Sequence, residues 1–298
     1  MDKNLLFVIN PHSGRAEIKS RALMIIDSFV KHGYSVTVYT TQNQGSTDKA
    51  VGEIGDKFDR IVCCGGDGTV NETLNGIMRL DKRPPLALIP SGTTNDYPYS
   101  LSIPINMNKA EEIARTDKLF NVDVGSFNGR YFAYVAAFGL FTDVTYETPQ
   151  DAKNMLGSVA YVLEGAKRIN TLRRYHVKVE YDGGLLEDDV ILGFFSNTVS
   201  VAGIRNAFSD AKLNDGLLEI TLIKVPKTLR DAQTIINILL NFEKASESQS
   251  DFLRVITAKK ARITCDTPIA WTIDGESGGS FTDVIIENCP KAIDVVVG

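Results

Sequence analysis

The first third of the chain alternates short apolar runs with stretches of helical spacing. Leu5 to Asn10 reads as a strand, and from Ser20 to His32 the apolar positions Leu23, Ile26, Phe29 and Val30 recur at helical intervals. Gly33 stands where a helix C-cap belongs, and Ser35 to Thr40 alternates as a strand. A helical stretch over Asp48 to Ile54 precedes a strand over Arg60 to Cys64. A helix over Asn71 to Met78 follows, then an apolar strand, Leu86 to Ile89, bracketed by Pro85 and Pro90. This order predicts an α/β domain over residues 1–125, with a parallel sheet and helices on both faces.

After about Val124 the pattern changes. Strand-like runs dominate: Tyr131–Phe138, His176–Tyr181, Leu185–Ser196, Leu217–Lys224, Arg254–Ala258, Ala261–Cys265, Ile269–Asp274 and Phe281–Glu287. Asp182-Gly183-Gly184 and Asn214-Asp215-Gly216 supply turn signals between them, and helical stretches cover roughly Ala152–Arg168 and Thr228–Lys244. Residues 126–289 therefore read as a second, antiparallel β-sandwich domain. A last strand over Ala292–Val297 is free to pair within either domain.

Composition narrows the classes. A chain of 298 residues suits two ordinary domains, and 43% hydrophobic with 23% charged residues is ordinary for a globular protein. A net charge of −5 argues against nucleic acid as a partner, although Lys167, Arg168, Arg173, Arg174 and Lys178 form a locally basic run. The cysteines Cys63, Cys64, Cys265 and Cys289 lack zinc-ligand spacing and read as core residues of a reducing compartment. No signal peptide is visible, and the longest apolar stretch, Tyr131 to Leu140, is too short to span a bilayer. The expectation is a cytoplasmic protein.

The chemistry concentrates at the ends of the predicted parallel strands. Gly65-Gly66-Asp67-Gly68-Thr69 lets the backbone approach a bulky ligand, and the helix behind it offers unpaired N–H groups to phosphate. Asp67 beside phosphate makes sense as a Mg²⁺ anchor or a proton acceptor. Asn10-Pro11-His12-Ser13-Gly14 and Pro90-Ser91-Gly92-Thr93-Thr94-Asn95-Asp96 end two further strands. Each alone also reads as an ordinary capped turn, but three at one sheet edge favour a phosphate site. A Walker-type loop and the Rossmann glycine spacing are both missing. Late in the chain, Trp271-Thr272-Ile273-Asp274-Gly275-Glu276 reads as an acidic β-turn or as the base of a phosphotransferase. Asn214-Asp215-Gly216 reads as a turn, although a carboxylate among backbone carbonyls also suits a hard cation. The apolar stretch Thr228–Lys244 is explained by core packing, or by contact with an acyl chain or membrane surface.

Taken together, these segments, with Asn71-Glu72 behind the glycine loop, closely resemble the diacylglycerol-kinase catalytic domain family, in particular its soluble bacterial lipid kinases. The resemblance covers essentially the whole chain. It implies an NAD kinase/diacylglycerol kinase-like α/β domain, to which the last strand (about 290–298) returns, and a β-sandwich lipid domain, with the active site in the cleft between them. It implies ATP contacts from Asn10, Pro11, His12, Ser13, Gly14, Thr41, Gly66, Asp67, Gly68, Thr69, Val70, Asn71, Glu72 and Thr93. Asp67 and Asp96 would hold or orient the catalytic Mg²⁺ and the phosphates, and Asp274 and Glu276 match the acidic pair credited with deprotonating the lipid hydroxyl. Asp215 with the backbone carbonyls of Lys212 and Leu217 looks like a structural Mg²⁺ site. Relatives commonly continue the Asn-Asp pair with Phe-x-Arg, whereas Tyr97-Pro98-Tyr99 follows Asp96 here and removes a cation. The expected activity is ATP- and Mg²⁺-dependent phosphorylation of a lipid hydroxyl such as that of diacylglycerol, met at the inner membrane face by transient contact. The rival readings are an NAD kinase-like enzyme with a soluble acceptor and a non-catalytic nucleotide- or lipid-binding protein. A homodimer is compatible with the chain.

Overall fold

The computed structural model describes residues 3–13, 17–139, 173–198, 212–240 and 250–298. Gly14, the helical stretch 152–168, the basic residues Lys167 and Arg168, and the end of the stretch 228–244 lie outside the described residues. The chain divides into two compact units, Met1–Val124 with Arg130–Ala133 and Cys289–Gly298, and Gly125–Gly129 with Tyr134–Asn288.

In the first unit the strands β1 (Lys3–Ile9), β2 (Tyr34–Thr40), β3 (Arg60–Gly65) and β4 (Leu86–Pro90) alternate with helices α1 (Glu17–Lys31), α2 (Ser46–Ile54) and α3 (Asp67–Met78). β1 pairs in parallel with β2 and β3, and β3 with β4. Every residue of β3 and β4 is buried, as befits strands covered on both faces. Two short helices, α4 (Asp96–Ser100) and α5 (Met107–Ala114), precede β5 (Leu119–Phe127) and β6 (Arg130–Phe132). Asn106 caps α5, its side chain accepting from the Asn108 and Lys109 amides at 3.1 and 3.2 Å.

The second unit is built from β7 (Val135–Gly139), β8 (Tyr175–Tyr181), β9 (Gly184–Ser196), β10 (Leu218–Lys224), helix α6 (Leu229–Leu240), β11 (Leu253–Ala258), β12 (Lys260–Ile273) and β13 (Glu276–Val296), whose residues from Cys289 on belong to the first unit. All strand pairs within the second unit for which a register is described are antiparallel, in the order β11-β10-β9-β7-β12-β13, with β8 joining β9 and β12. One face of this sheet carries the aromatic core. Trp271 lies 4.8 Å from Phe138, 5.0 Å from Phe127 and 5.7 Å from Phe195, ring centre to ring centre. Gly193 makes room for this cluster, since a Cβ there would stand 2.3 Å from the Phe138 ring.

Several elements differ from the sequence expectation. The α3 helix begins at Asp67 rather than Asn71, because Gly66 holds an extended conformation (φ −91°, ψ −177°) and the chain enters helix directly behind it. The single strand expected over Tyr131–Phe138 is two, β6 and β7, and β6 belongs to the first unit. Conversely, the runs 261–265 and 269–274 are one strand, β12, with a register shift between Thr264 and Ile269. The runs 281–287 and 292–297 likewise merge into the 21-residue β13, whose Val295 pairs in parallel with Leu86 of β4.

Candidate active site

In the first unit three turns leave the carboxyl ends of β1, β3 and β4, and hydrogen bonds tie them into one surface. The Asn10 amide donates to Cys64 O at 2.9 Å, and its side-chain Nδ2 donates to Thr69 Oγ1 at 3.1 Å. The Asn10 Oδ1 in turn accepts from the His12 amide, closing an Asx-type turn. Ser13 Oγ lies 2.5 Å from Ser91 Oγ, and the Ser91 amide donates to Gly65 O at 3.0 Å. Gly66 and Gly92 meet back to back, so that a Cβ on Gly92 would fall 2.5 Å from Gly66 Cα. This approach requires glycine at Gly92, and a Cβ on Gly66 would be tight, 3.1 Å from Gly92 Cα. Asn95, at φ 55°, staples its own turn: Oδ1 accepts from the Gly92 amide and Nδ2 donates to Gly92 O.

The carboxylates of this unit are fixed by main-chain amides. Asp67, at the first position of α3, accepts from the Asn95 amide at 2.8 Å and from the Tyr97 amide at 3.4 Å. It therefore holds the start of α4 against the start of α3. Glu72 accepts from the Gly45 and Thr47 amides at the start of α2, at 2.7 and 3.1 Å. Asn71 and Asn75 both donate to Tyr131 O, and Asn75 Oδ1 accepts from the Tyr131 amide, which fixes β6 to α3. Val70 is buried and its amide closes the first helical turn onto Gly66 O. Asp96 is also buried, Pro11 and Thr41 are half-buried, and His12 and Thr93 are exposed. The Thr41 amide donates to Ile9 O. Beneath the glycine turn, burial pushes the Cys63 thiol up to about 12 and raises Cys64 as well, so both are inert core groups.

In the second unit Asp274 and Gly275 form a two-residue hairpin between β12 and β13, with φ of 48° and 83°. Two positive φ values are the type I′ signature that Asp-Gly favours. The buried Asp274 Oδ1 accepts from the Tyr134 and Val135 amides, both at 3.0 Å, while its own amide donates to Val135 O at 2.8 Å. This clamp starts β7 and explains the break in the expected strand. Glu276 is half-buried one residue beyond the turn, and its carbonyl accepts from Thr272 Oγ1 at 2.9 Å.

Asp215 Oδ1 accepts from the Leu217 amide at 3.0 Å, and Leu217 O accepts from Asn288 Nδ2 at 3.1 Å. Lys212 is exposed nearby in sequence. Among the described residues no cluster of three His, Cys, Asp or Glu side chains suits a metal ion, so a cation here would depend on backbone carbonyls. Two residues further on stands Glu219, which the sequence reading did not single out. Burial raises its carboxyl to about 8, with the Asp215 charge adding to the effect, and Oε2 has no hydrogen-bond partner. Its signal in the sequence was a carboxylate inside the apolar run Leu217-Leu218-Glu219-Ile220.

Comparison with known proteins sets these features in a class. Residues 4–127 match the diacylglycerol kinase catalytic domain, and residues 136–297 match the YegS C-terminal NAD kinase beta sandwich-like domain. A diacylglycerol kinase of Bacillus subtilis (strain 168) is 32% identical over 301 residues, covering 99% of this chain and 96% of that protein. One from Staphylococcus aureus (strain MRSA252) is 33% identical over 297 residues, covering 99% and 92%. The crystal structure of a diacylglycerol kinase from Bacillus anthracis str. Sterne superposes with a TM-score of 0.76 at 25% identity, covering 100% of this chain and 97% of that one. The chain belongs to the diacylglycerol kinase family, and at family level it is a kinase. No helix among the described residues is long and apolar enough to cross a membrane.

Proposed function

We propose that the protein transfers the γ-phosphoryl group of ATP, with Mg²⁺, to the hydroxyl of a diacylglycerol-type lipid. The observation that carries this reading is the convergence of the Asn10–Ser13, Gly65–Thr69 and Ser91–Asn95 turns beside the N-terminus of α3. Phosphoryl transfer asks chiefly for positioning and charge neutralisation, and turns locked to one another supply the first. The dipole of α3, whose N-terminus lies beside the turns, favours an anion at that edge.

Asp67 and Asp96 are the carboxylates through which a divalent cation would be held at the phosphates. Asp67 spends one amide bond on each oxygen, and a carboxylate has further lone pairs for a hard ion. The Asp215 carboxylate with the Lys212 and Leu217 carbonyls is an all-oxygen donor set of the kind a second, structural cation takes. Bound there, the ion would neutralise charge on phosphate or brace the turn.

Glu276 is the base in this reading, and Asp274 a positioning residue. Asp274 is committed to two amides that shape the hairpin, while Glu276 is half-buried and closer to solvent. The acceptor hydroxyl oxygen bonds to the γ-phosphorus as the bond to the β–γ bridging oxygen breaks. ADP leaves with that oxygen, and the hydroxyl proton passes to Glu276. Since the acceptor resides in a bilayer, the enzyme meets it from the cytoplasm by peripheral contact.

The test is a labelled-ATP assay with diacylglycerol, phosphatidylglycerol, a sphingoid base and NAD as separate acceptors. Label should appear in the diacylglycerol product and require Mg²⁺. Label in NAD alone would overturn the lipid assignment, and no transfer to any acceptor would overturn the catalytic one.

A further inference from the structure

The antiparallel register of the second unit assembles a second face opposite the aromatic core. Partners in such a ladder project to the same side of the sheet. One row runs Thr257 (β11), Glu219 (β10), Ser196 (β9), Val135 (β7), and it ends at Asp274, whose amide is bonded to Val135 O. The neighbouring row on the same side runs Val255, Thr221, Phe194, Ala137, Thr272, and Thr272 Oγ1 is bonded to Glu276 O. The intervening row, Ile256, Ile220, Phe195, Ala136, Ile273, faces the core.

The middle of this second face is dry yet carries polar groups, while Thr257 at its β11 edge is exposed and Val255, Ala137 and Thr272 are half-buried. Glu219 is 7% exposed, Thr221 and Ser196 are 0% exposed, and Phe194 is 8% exposed. Ser196 Oγ is satisfied by Thr198, but Glu219 Oε2 and Thr221 Oγ1 have no hydrogen-bond partner. Two orphaned polar atoms, two residues apart on one strand, are costly in a folded protein and ask for a reason. Thr47 Oγ1 and Trp271 Nε1 also lack a partner, but Glu219 and Thr221 alone among these stand on the rows that run to the hairpin bearing Asp274 and Glu276.

We propose that this face seats the phosphoryl acceptor, with Glu219 and Thr221 hydrogen-bonding its polar linkage, such as the ester carbonyl of a glycerolipid. The acceptor hydroxyl then lies at the Asp274–Glu276 end of the same rows. From the β10 backbone to that of β12 is three strand spacings, about 14 Å, which suits a glycerol backbone with the start of its acyl chains. The remaining side chains of the two rows, Val135, Ala137, Phe194 and Val255, are apolar and match hydrocarbon. The inference rests on the lipid-kinase reading and adds where that substrate binds.

The experiment is steady-state kinetics on the full chain with dioctanoylglycerol and ATP varied independently, for wild type, Glu219→Gln, Glu219→Leu and Thr221→Val. Glu219→Leu should raise the KM for dioctanoylglycerol at least tenfold and Thr221→Val about threefold, with the KM for ATP within twofold of wild type. Glu219→Gln, which keeps a donor and an acceptor, should stay within about threefold. Thermal unfolding is the control: removing an unpartnered buried carboxyl should leave Tm unchanged or higher, so a binding defect is not a folding defect. Thr221→Val is isosteric and decides the matter if Glu219→Leu does not fold. Unchanged acceptor KM, or a loss in kcat alone, while the wild type phosphorylates dioctanoylglycerol, overturns this proposal and leaves the lipid-kinase reading standing. A wild type that does not phosphorylate dioctanoylglycerol overturns both.

Discussion

The polar side chains at the strand-end turns of the first unit and those on the second face of the β10 sheet solve opposite problems. At the turns Asp67 and Asn10, with Glu72 a turn further along α3, hold groups of another segment, while Asn95 staples its own turn, and each bond closes part of the scaffold. On the sheet face, Glu219 Oε2 and Thr221 Oγ1 are just as sequestered and hold nothing. A polar group with its bonds complete is explained by the fold; one left incomplete and dry is not. On the proposal above, the contrast separates residues that shape the site from those that meet the acceptor, even where the sequence marks both simply as polar.

Three substitutions sharpen or break this contrast. The largest effect is expected from Asp67→Ala, which removes both the carboxylate proposed to hold the cation and the acceptor for the Asn95 and Tyr97 amides. Turnover should fall by about a thousandfold. Unlike a pure ligand contact, stability should also fall, by about 1–3 kcal/mol, read by denaturant unfolding. Retained activity would remove Asp67 from the chemistry, and retained stability would remove it from the scaffold.

Next comes the pH dependence of Glu219. Its folded pKa, raised from 4.5 to about 8, makes stability greatest below the unfolded value and declining as pH rises from about 4.5 towards 8. Each tenfold change in proton affinity is worth about 1.4 kcal/mol, so the cost at pH 8 is of the order of a few kcal/mol. In metal-free buffer, Glu219→Gln should therefore gain in Tm over wild type at pH 8 and very little at pH 5. An equal gain at both would show that the carboxyl is not held in its neutral form.

The smallest effect belongs to Glu72→Ala. Loss of the cap on α2 should cost about 1 kcal/mol of stability. The KM for ATP should move by less than threefold. A large rise in that KM with unchanged stability would make Glu72 a nucleotide contact rather than part of the scaffold.

The alternation of β1–α1–β2–α2–β3–α3–β4 was legible because each element is short, regular and bounded by a glycine, proline or capping residue. The three motif-bearing turns were legible for the same reason, and their convergence followed from strand order. The role of Glu72 was not legible. It sits next to a ligand-binding motif, but its partners, Gly45 and Thr47, lie on another helix, and no local pattern records a bond across that distance. The short helix α5 escaped notice despite its Asn106 cap, since its 8 residues show too few apolar repeats. The division of Tyr131–Phe138 into two strands was hidden because the Asp274 clamp that causes it arrives 140 residues after Tyr134. Glu219 stood out of its apolar run, but only the ladder register reveals that it shares a face with Thr221 and a row with the Asp274 hairpin.

The contact between Gly66 and Gly92 has a mechanical corollary. The nearest atom a Cβ on Gly92 would meet is backbone, so no side-chain rotamer could make room for it and the turns after β3 and β4 would have to move apart. In the nucleotide cradle proposed above, an alanine at Gly92 would therefore widen the gap between two of its walls.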